Sequence, residues 1–225
     1  MQTSEQRSVI IVAGGSGTRM GADIPKQFLN IAGKPVLMHT LEKFLSFDAS
    51  IQIVLVLPFQ HIETWNRLCG EHRFIIPHRL AMGGNERFIS VKNGLVKISD
   101  HGLTAIHDGV RPLVSEQVIG NCFRAAAECG GAIPVISPGE SLRKLEGDIS
   151  IPVDRKMYRL VQTPQVFKTS FIKKAYDREY ESRFTDDATV FEAAGYTVRM
   201  VEGNPENIKI THPQDLMLAN YLLKL

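Results

Sequence analysis

Short runs of β-branched and aliphatic residues alternate along this chain with longer segments whose apolar side chains recur every three or four positions. The short runs predict buried strands, and the longer segments predict amphipathic helices. We expect strands at Val9–Ala13, Ile51–Leu57, Arg73–Pro77, Leu103–His107, Gly131–Ile136, Thr197–Val201 and Asn207–Ile210. We expect helices at Val36–Phe47, Phe59–Cys69, Glu86–Ile98 and Glu116–Cys129, and a last helix that Thr211 caps and that runs to Leu225. This alternation predicts an α/β fold of three layers, Rossmann-like, in which helices cover both faces of a mostly parallel sheet.

The segment Ser137–Tyr158 interrupts this alternation. It holds short alternating apolar stretches around a central Glu146-Gly147-Asp148 turn, which predicts an extended β-hairpin arm. An isolated hairpin is marginally stable in water, so we expect the arm to pack against the same arm of a second subunit and to form a homodimer. The alternative is a mobile surface loop, because long loops in compact domains are often functional or disordered.

The composition is that of an ordinary globular domain. Hydrophobic residues make up 44% of the 225 positions and charged residues 22%, which excludes a disordered, collagen-like or coiled-coil chain. The length predicts a single domain over residues 1–225, with the arm as an appendage. The longest apolar runs have five residues, against the roughly 20 that span a bilayer, so we expect no membrane partner and a cytoplasmic location. A net charge of +2 gives no reason to expect nucleic acid as a partner.

The strongest candidate for a ligand site follows the first strand. Residues 13–19 read A-G-G-S-G-T-R, and the backbone N–H groups of such a glycine-rich loop can surround a bulky anion. Arg19 and Lys26 place two cations beside it, which suits a polyphosphate whose charge grows in the transition state. The segment lacks the acidic residue that completes a dinucleotide fingerprint, and it contains no Walker motif. The alternative is a glycine turn with solvated charges.

Several further motifs give the chain a resemblance to a known family. They are A-G-G-x-G-T-R-M-G followed by P-K-Q-F, G-G-N-E-R at 83–87, H-D-G-V-R-P at 107–112, V-D-R at 153–155, Q-T-P-Q at 162–165, T-D-D-A at 185–188, and V-E-G with N-I-K within 201–209. In this order they resemble the 2-C-methyl-D-erythritol 4-phosphate cytidylyltransferases of the non-mevalonate isoprenoid pathway. The resemblance implies a nucleotidyltransferase that moves CMP from CTP to a polyol phosphate and releases pyrophosphate.

The resemblance also implies a role for each motif. Catalysis falls to Arg19, Lys26 and Lys209. The nucleotide is bound by Ala13, Gly14, Gly15, Ser16, Gly17, Gly84, Asn85 and Ser90. The acceptor is bound by Asp108, Arg111, Ser141, Arg155, Thr163 and Thr185, where Ser141 and Arg155 belong to the arm of the other subunit. Asp108 is also the implied ligand of Mg²⁺, an ion that one carboxylate can hold when triphosphate oxygens and water complete its shell.

Some of these residues have other interpretations. Asp108 could cap the helix that follows it, or pair with Arg111. Arg155 could pair with Asp154 or Glu146 on the surface of the arm.

The pair Asp186 and Asp187 is also open to two interpretations. The two carboxylates could form a metal pair. A helix capped by Thr185 predicts the same residues, and we favour this cap.

Two other functions remain open for the whole chain. A ribitol-5-phosphate cytidylyltransferase carries a similar glycine loop, P-K-Q-F and Q-T-P-Q. A non-catalytic nucleotide-sensing module of the same fold is expected to have lost Lys26, Asp108 or Lys209, and all three are present. The chain shows no plausible Ser-His-Asp set or paired carboxylates. Cytidylyl transfer needs no general base, because the second pKa of a phosphomonoester is about 6 and the acceptor is already ionised.

Overall fold

The computed structural model describes residues 6–14 and 24–224 of the chain. These residues form the strands β1 Arg7–Val12, β2 Asn30–Ile31, β3 Lys34–Pro35, β4 Gln52–Leu57, β5 Arg79–Met82, β6 Leu103–Asp108, β7 Gly131–Ile136, β8 Leu142–Glu146, β9 Ile149–Val153, β10 Leu160–Val161, β11 Gln165–Lys168 and β12 Arg199–Glu202. They form the α-helices α1 Val36–Phe47, α2 Ile62–Glu71, α3 Arg87–Leu95, α4 Glu116–Cys129, α5 Thr169–Tyr176, α6 Asp187–Ala193 and α7 Pro213–Leu222. Within this part of the chain, no helix has the length and apolarity needed to cross a membrane.

Eight of the strands form one mixed sheet. The strand order is β10-β7-β11-β6-β1-β4-β5, and β12 pairs with β7. Six strands run in the same direction, and β10 and β11 run against them. The predicted mostly parallel sheet is therefore confirmed.

Alternate residues of the central strands face two different hydrophobic cores. Val9 and Ile11 of β1 pack in a cluster with residues of α1, α2 and α4. Ile10 packs in a second cluster with residues of α3, α5 and α6. Because successive side chains of a strand point to opposite faces, the sheet is covered by helices on both sides. This arrangement confirms the three-layer α/β fold.

The sheet has a switch point beside β1. The chain continues from β1 to β4 on one side, and later returns to place β6 on the other side. Val12 at the end of β1 lies opposite Asp108 at the end of β6. Ligands of open α/β sheets bind outside the carboxyl ends of the strands at such a point. The topology thus brings the segment after β1 and Asp108 to one edge of the sheet.

The arm is a β-hairpin, as predicted. β8 and β9 pair antiparallel from Leu142 opposite Val153 to Glu146 opposite Ile149, and Gly147 takes a φ of 60° in the turn. The two strands form a sheet of their own. Leu145 is 77% exposed, so apolar surface on the arm is uncovered in the single chain.

The prediction of a strand at Arg73–Pro77 is wrong. This segment does not join the sheet, and its Phe74 side chain packs against α2. The Phe74 ring lies edge-on to Trp65 at 5.7 Å between centroids. His78, just after the segment, accepts a hydrogen bond at Nε2 from Trp65 Nε1 at 2.9 Å. The strand that pairs with β4 is β5, a few residues later.

The prediction of a strand at Asn207–Ile210 is also wrong. The backbone of this segment bonds to side chains and loops: the carbonyl of Asn207 accepts from Arg111 Nη1 at 2.7 Å, and the N–H of Ile210 donates to the Val110 carbonyl at 3.0 Å. Backbone groups that bond in this way are not available for pairing with a neighbouring strand, so the segment does not join the sheet.

The last helix begins two residues after the predicted cap. Its N-terminal cap is His212, and α7 ends at Leu222. The Asp215 carboxylate accepts from the N–H groups of Thr211 and His212 at 2.8 and 2.7 Å. Thr211 is therefore held by the first turn of the helix and does not cap it. Leu225, the predicted end, lies outside the described residues.

Candidate active site

Two adjoining pockets open at the switch point. The larger pocket has a volume of about 470 Å³ and is lined by Val12, Ala13, Gly14, Lys26, Gln27, Gly84, Asn85, Glu86, Arg87, Ser90, Asp108, Val110 and Lys209. The smaller pocket has a volume of about 170 Å³ and is lined by Arg87, Asp108, Arg111, Val161, Gln162, Thr163, Gln165, Thr185, Asp186 and Lys209. Three charged residues line both pockets: Arg87, Asp108 and Lys209. We call this shared wall the junction.

The end of β1 and the short helical turn Lys26–Phe28 form one wall of the larger pocket. Gln27 is 1% exposed, and its Nε2 donates to the Ala13 carbonyl at 2.9 Å. This bond ties the turn to the strand end and places Lys26, 9% exposed, in the pocket. Gly14 also lines the larger pocket. Of the other residues predicted in this loop, Gly15, Ser16, Gly17 and Arg19 lie outside the described residues.

The opposite wall is the turn that leads into α3. The Gly84 N–H donates to Ser90 Oγ at 3.0 Å, and the Ser90 hydroxyl donates to the Glu86 carbonyl at 3.1 Å. A Cβ on Gly84 would lie 2.3 Å from Ile89 Cγ2, so the turn has room for glycine alone. The Ser90 proton is used to order this turn, which leaves the exposed Asn85 as the side chain with free donors in the wall.

Three cations surround Asp108, the buried carboxylate of the junction. Asp108 Oδ2 lies 3.1 Å from Lys209 Nζ and 3.2 Å from Arg111 Nε, and Oδ1 lies 3.8 Å from Arg87 Nε. Burial would raise the pKa of Asp108, but Arg87, Lys209 and Arg111 hold it well below its usual range. Asp108 therefore carries its charge at neutral pH. It does pair with Arg111, and it does not cap the following helix, whose cap is Ser115.

A chain of hydrogen bonds fixes the base of the smaller pocket. His107 is fully buried, and its Nε2 lies 3.1 Å from the Arg111 carbonyl, to which it must donate. Nδ1 is then an acceptor, and the Thr163 hydroxyl donates to it at 3.0 Å. The same hydroxyl accepts from the Asp108 N–H at 3.1 Å. Thr163 thus orders the end of β6, and its predicted contact with an acceptor stays a prediction.

Protonation of His107 should destabilise the fold. Burial lowers the pKa of His107 from 6.5 to about 4, so the unfolded chain takes up this proton at a higher pH than the folded one. The shift corresponds to about 3 kcal/mol. We expect this contribution to be complete above pH 6.5 and to be lost as the pH falls toward 4.

Denaturant unfolding of the free protein at pH 7 and pH 4.5 measures this loss. The His107→Gln variant is the control, because it lacks the titrating ring while other groups titrate as before. The difference between wild type and variant should shrink at the lower pH. Parallel changes in the two proteins would exclude His107 as the cause.

Some of the predicted acceptor residues meet in the smaller pocket and some do not. Asp108, Arg111, Thr163 and Thr185 line it. Ser141 and Arg155 are exposed on the arm and line neither pocket of their own chain. This placement leaves their proposed role in another subunit's site as a prediction.

The interpretation that Arg155 pairs with a carboxylate of the arm is wrong. Its Nη1 donates to the Gly139 carbonyl at 2.5 Å. Glu146 pairs with Lys144 at 2.7 Å, and the Asp154 carboxylate accepts from the Lys156 N–H at 3.0 Å. The arginine is thus bound to the base of the arm by a neutral acceptor.

The cap of α6 is Asp186, so the prediction of Thr185 is wrong by one residue. The Asp186 carboxylate accepts from the Thr189 N–H at 2.9 Å and from Gln165 Nε2 at 2.8 Å. Asp186 and Asp187 are not a metal pair, because Asp187 binds Arg87 through both oxygens, at 2.8 and 2.6 Å. The sequence assigns no role to Arg87 of the G-G-N-E-R motif, because nothing in the local pattern shows that a residue 100 positions away binds it.

The described residues can supply one carboxylate to a magnesium ion. Among them, no three His, Cys, Asp or Glu side chains come together to hold a metal. Asp108 offers hard oxygens in the pocket wall, and its Oδ1 is farther from Arg87 than a hydrogen bond. Mg²⁺ commonly takes one or two carboxylates and completes its shell with phosphate oxygens and water.

The chain matches one protein family over nearly its whole length. The model of the family described as IspD, 2-C-methyl-D-erythritol 4-phosphate cytidylyltransferase, matches residues 8–225. The chain is 53% identical over 218 residues to the 2-C-methyl-D-erythritol 4-phosphate cytidylyltransferase of Bacteroides thetaiotaomicron, an alignment that covers 97% of this chain and 100% of the relative.

Solved structures are similar as well. The crystal structure of 4-diphosphocytidyl-2C-methyl-D-erythritol synthase from Anaerococcus prevotii has a TM-score of 0.83 at 26% identity, and 98% of this chain and 97% of that chain are covered. The crystal structure of 2-C-methyl-D-erythritol 4-phosphate cytidylyltransferase from Thermus thermophilus has a TM-score of 0.76 at 32% identity, with 98% and 100% covered.

Proposed function

Because the chain belongs to the 2-C-methyl-D-erythritol 4-phosphate cytidylyltransferase family, we propose that the larger pocket binds CTP and the smaller pocket binds the phosphate of 2-C-methyl-D-erythritol 4-phosphate. The protein is a cytidylyltransferase of isoprenoid precursor synthesis. The observation that supports the assignment of the pockets is their shared wall of Arg87, Asp108 and Lys209. The family match does not favour the ribitol-5-phosphate alternative or a sensing module.

The reaction is an in-line displacement at the α-phosphorus of CTP. A phosphate oxygen of the acceptor forms a new bond to that phosphorus, the bond to the oxygen of the β-phosphate breaks, and pyrophosphate leaves with the bonding electrons. The acceptor phosphate is ionised near neutral pH, so no proton has to be removed from it. The protein must align two anions and stabilise the charge between them.

The cations that line the two pockets support this proposal. Lys26 lies in the larger pocket, Arg111 in the smaller one, and Arg87 and Lys209 in both. Fixed cations at the place where charge develops lower the barrier more than the same charges do in water, because they need no reorganisation during the step.

We propose that Asp108 is the protein ligand of Mg²⁺ in the CTP complex. When bound, the ion neutralises phosphate charge and helps to orient the triphosphate. Lys209 and Arg111, which pair with Asp108 in the free protein, line the pockets and would bind phosphate oxygens.

Pyrophosphate release tests the function. The protein is incubated with CTP, magnesium and either 2-C-methyl-D-erythritol 4-phosphate or ribitol 5-phosphate at equal concentrations. We expect kcat/KM to be larger for the methylerythritol substrate. A higher value for ribitol 5-phosphate, or no release with either acceptor, would contradict the proposed function.

A homodimer formed through the arm is proposed from its exposed apolar residues. Leu145 and Ile149 are 77% and 64% exposed on a hairpin that pairs with no other strand of the described chain. The double variant Leu145→Asp with Ile149→Asp should be monomeric, because it places charge in the proposed contact without touching the core. Sedimentation velocity measures the change.

The matched control for the dimer is Ile75→Asp. Ile75 is 90% exposed in the loop before β5, the strand at the opposite edge of the sheet from β10. We expect this variant to keep the wild-type assembly. A dimer that survives the double substitution on the arm would show that the contact lies elsewhere.

We propose that Arg155 reaches the active site of the other subunit and binds the phosphate of the acceptor there. The planar fork of arginine can hold two phosphate oxygens. Arg155→Ala should raise the KM for 2-C-methyl-D-erythritol 4-phosphate by about tenfold or more, and leave the KM for CTP nearly unchanged, since a charged hydrogen bond contributes roughly 1.5–3 kcal/mol.

Arg143→Ala is the control for Arg155 on the same arm, because the Arg143 guanidinium bonds to Ser150 of the hairpin itself. This variant should leave the KM for 2-C-methyl-D-erythritol 4-phosphate and the KM for CTP unchanged. Equal changes in the two KM values for Arg155→Ala would mean that another group holds the acceptor.

A cytoplasmic location is proposed with the function. The reaction consumes CTP, and Cys69, Cys122 and Cys129 are free thiols, as is usual in a reducing compartment.

A further inference from the structure

Arg87 is held in one orientation at the junction. It is the first residue of α3, and its Nη1 and Nη2 donate to the two oxygens of Asp187, at 2.8 and 2.6 Å. A guanidinium bound at both ends of its fork cannot rotate without breaking two charged hydrogen bonds. Arg87 is therefore a fixed cation on the wall that the two pockets share.

Asp187 lies behind this wall. It is the first residue of α6, it is fully buried, and it lines neither pocket. The Tyr176 hydroxyl donates to its Oδ1 at 2.6 Å. The Tyr176 ring is itself packed, 2% exposed and stacked on Phe88 with 4.7 Å between centroids. The carboxylate that holds Arg87 is thus fixed from a second direction.

The other shared cation is held less firmly. The Lys209 side chain is 43% exposed and has one ion pair, with Asp108. Lysine also loses more rotamer freedom than the preorganised arginine fork for each hydrogen bond it makes. Of the two cations that line both pockets, Arg87 is the one whose position is set before substrates arrive.

Stability alone is a weak reason for this pair, in which Asp187 is fully buried and the Arg87 side chain is 30% exposed. The free energy needed to remove two charges from water offsets much of the free energy gained from their attraction. Buried ion pairs can therefore often be replaced by apolar residues without loss of stability. The effect of Asp187 on the position of Arg87 is a better explanation for a buried carboxylate behind a pocket wall.

Building on the proposed function, we infer that Asp187, supported by Tyr176, is a positioning residue of the cytidylyl transfer. It fixes Arg87 where the acceptor phosphate meets the α-phosphate of CTP, and it does so without touching either substrate. The gain is a cation that stabilises the transition state with no reorganisation.

The test substitutes Asp187→Asn, which keeps the shape of the side chain and removes its charge. We expect kcat to fall by about 10-fold to 100-fold, with the KM for CTP changed by less than about threefold. Tyr176→Phe removes one hydrogen bond to the same carboxylate and keeps the ring stack, so its effect on kcat should be in the same direction and smaller.

A control variant separates positioning from loss of stability. Thr104→Val removes a buried hydroxyl that bonds to Thr169 and Ser8 at 2.8 and 3.0 Å, at the opposite end of β6 from Asp108. It should lower the melting temperature and leave kcat unchanged. All variants are assayed well below their melting temperatures.

Two measurements show whether Asp187 acts through Arg87. In a double-mutant cycle with Arg87→Lys, which cannot bind both oxygens, Asp187→Asn should add little to the loss of kcat. In nitrogen-15 spectra of the free protein, the side-chain Nε–H signal of Arg87 should be sharp and slowly exchanging in the wild type, and broadened in Asp187→Asn.

The inference is overturned if Asp187→Asn lowers the melting temperature and leaves kcat within about twofold, if the two substitutions act additively, or if the Arg87 signal is unchanged. These failures differ from failure of the proposed function, which shows as a wild type that releases no pyrophosphate from CTP with either acceptor. The Arg87 spectrum then still decides whether Asp187 positions the arginine.

Discussion

Replacing Lys26 with alanine is expected to lower turnover by a factor of about 10²–10³, the usual cost of losing one preorganised charge contact in a transition state. Lys26 is 9% exposed in the wall of the larger pocket, next to the end of β1. A cation held there acts on the charge that grows on the phosphates. The loss should therefore appear in kcat more than in the KM for CTP.

The control for Lys26 is Lys97→Ala, because Lys97 is exposed after α3 and lines neither pocket. It should keep wild-type kinetics. The far-ultraviolet circular dichroism of both variants should match the wild type, since neither change removes a core side chain. Turnover of Lys26→Ala within about tenfold of the wild type would exclude a large role for this lysine in the transition state.

Asp108→Asn is expected to raise the magnesium concentration that the reaction needs and to lower the stability of the fold. Losing even a residue that only supports a metal ligand costs 10-fold to 100-fold in metal affinity, so the magnesium concentration for half-maximal rate should rise by about tenfold or more. The substitution also leaves Arg87, Arg111 and Lys209 facing a neutral group. We expect a loss of about 1–3 kcal/mol in the free energy of unfolding, below the 3–5 kcal/mol of a fully buried pair because Lys209 is half exposed.

A magnesium titration of the steady-state rate, with denaturant unfolding of the same samples, separates the two effects. Asp100→Asn is the control, since Asp100 is 73% exposed and pairs with Lys173 away from the junction. An unchanged magnesium titration together with the stability loss would show that Asp108 is a partner of the three cations and does not hold the metal.

One helix that the sequence predicts to the residue has a strong signal at each end. α4 runs from Glu116 to Cys129 as predicted, because Ser115 accepts from the Val118 N–H at its start and Gly130 takes a φ of 94° at its end. The sequence pattern predicts no strand at β11. It has four residues, and it exists because β6 and β7 pair with it on both sides, which no local pattern reveals.

Contacts between distant parts of the chain also limit how much of the site the sequence can predict. Gly84, Asn85 and Ser90 follow a recognisable motif and line the larger pocket together, and their binding of a nucleotide stays a prediction. The bond between Arg87 and Asp187 joins the starts of two helices that are 100 residues apart, so only the fold brings the charges together. Ser141 and Arg155 pose the opposite difficulty, because a single chain does not contain the site to which they are assigned.

The most direct test of the central claim is the fate of labelled oxygen. The acceptor is prepared with ¹⁸O in the non-bridging positions of its phosphate and is turned over with unlabelled CTP, and the products are analysed by mass spectrometry. Attack by the phosphate in the smaller pocket on the α-phosphorus in the larger pocket predicts that all the label is found in the cytidylylated product, one labelled oxygen bridging the two phosphates, and that pyrophosphate is unlabelled. Label in pyrophosphate, or a product that has lost labelled oxygen, would contradict the account.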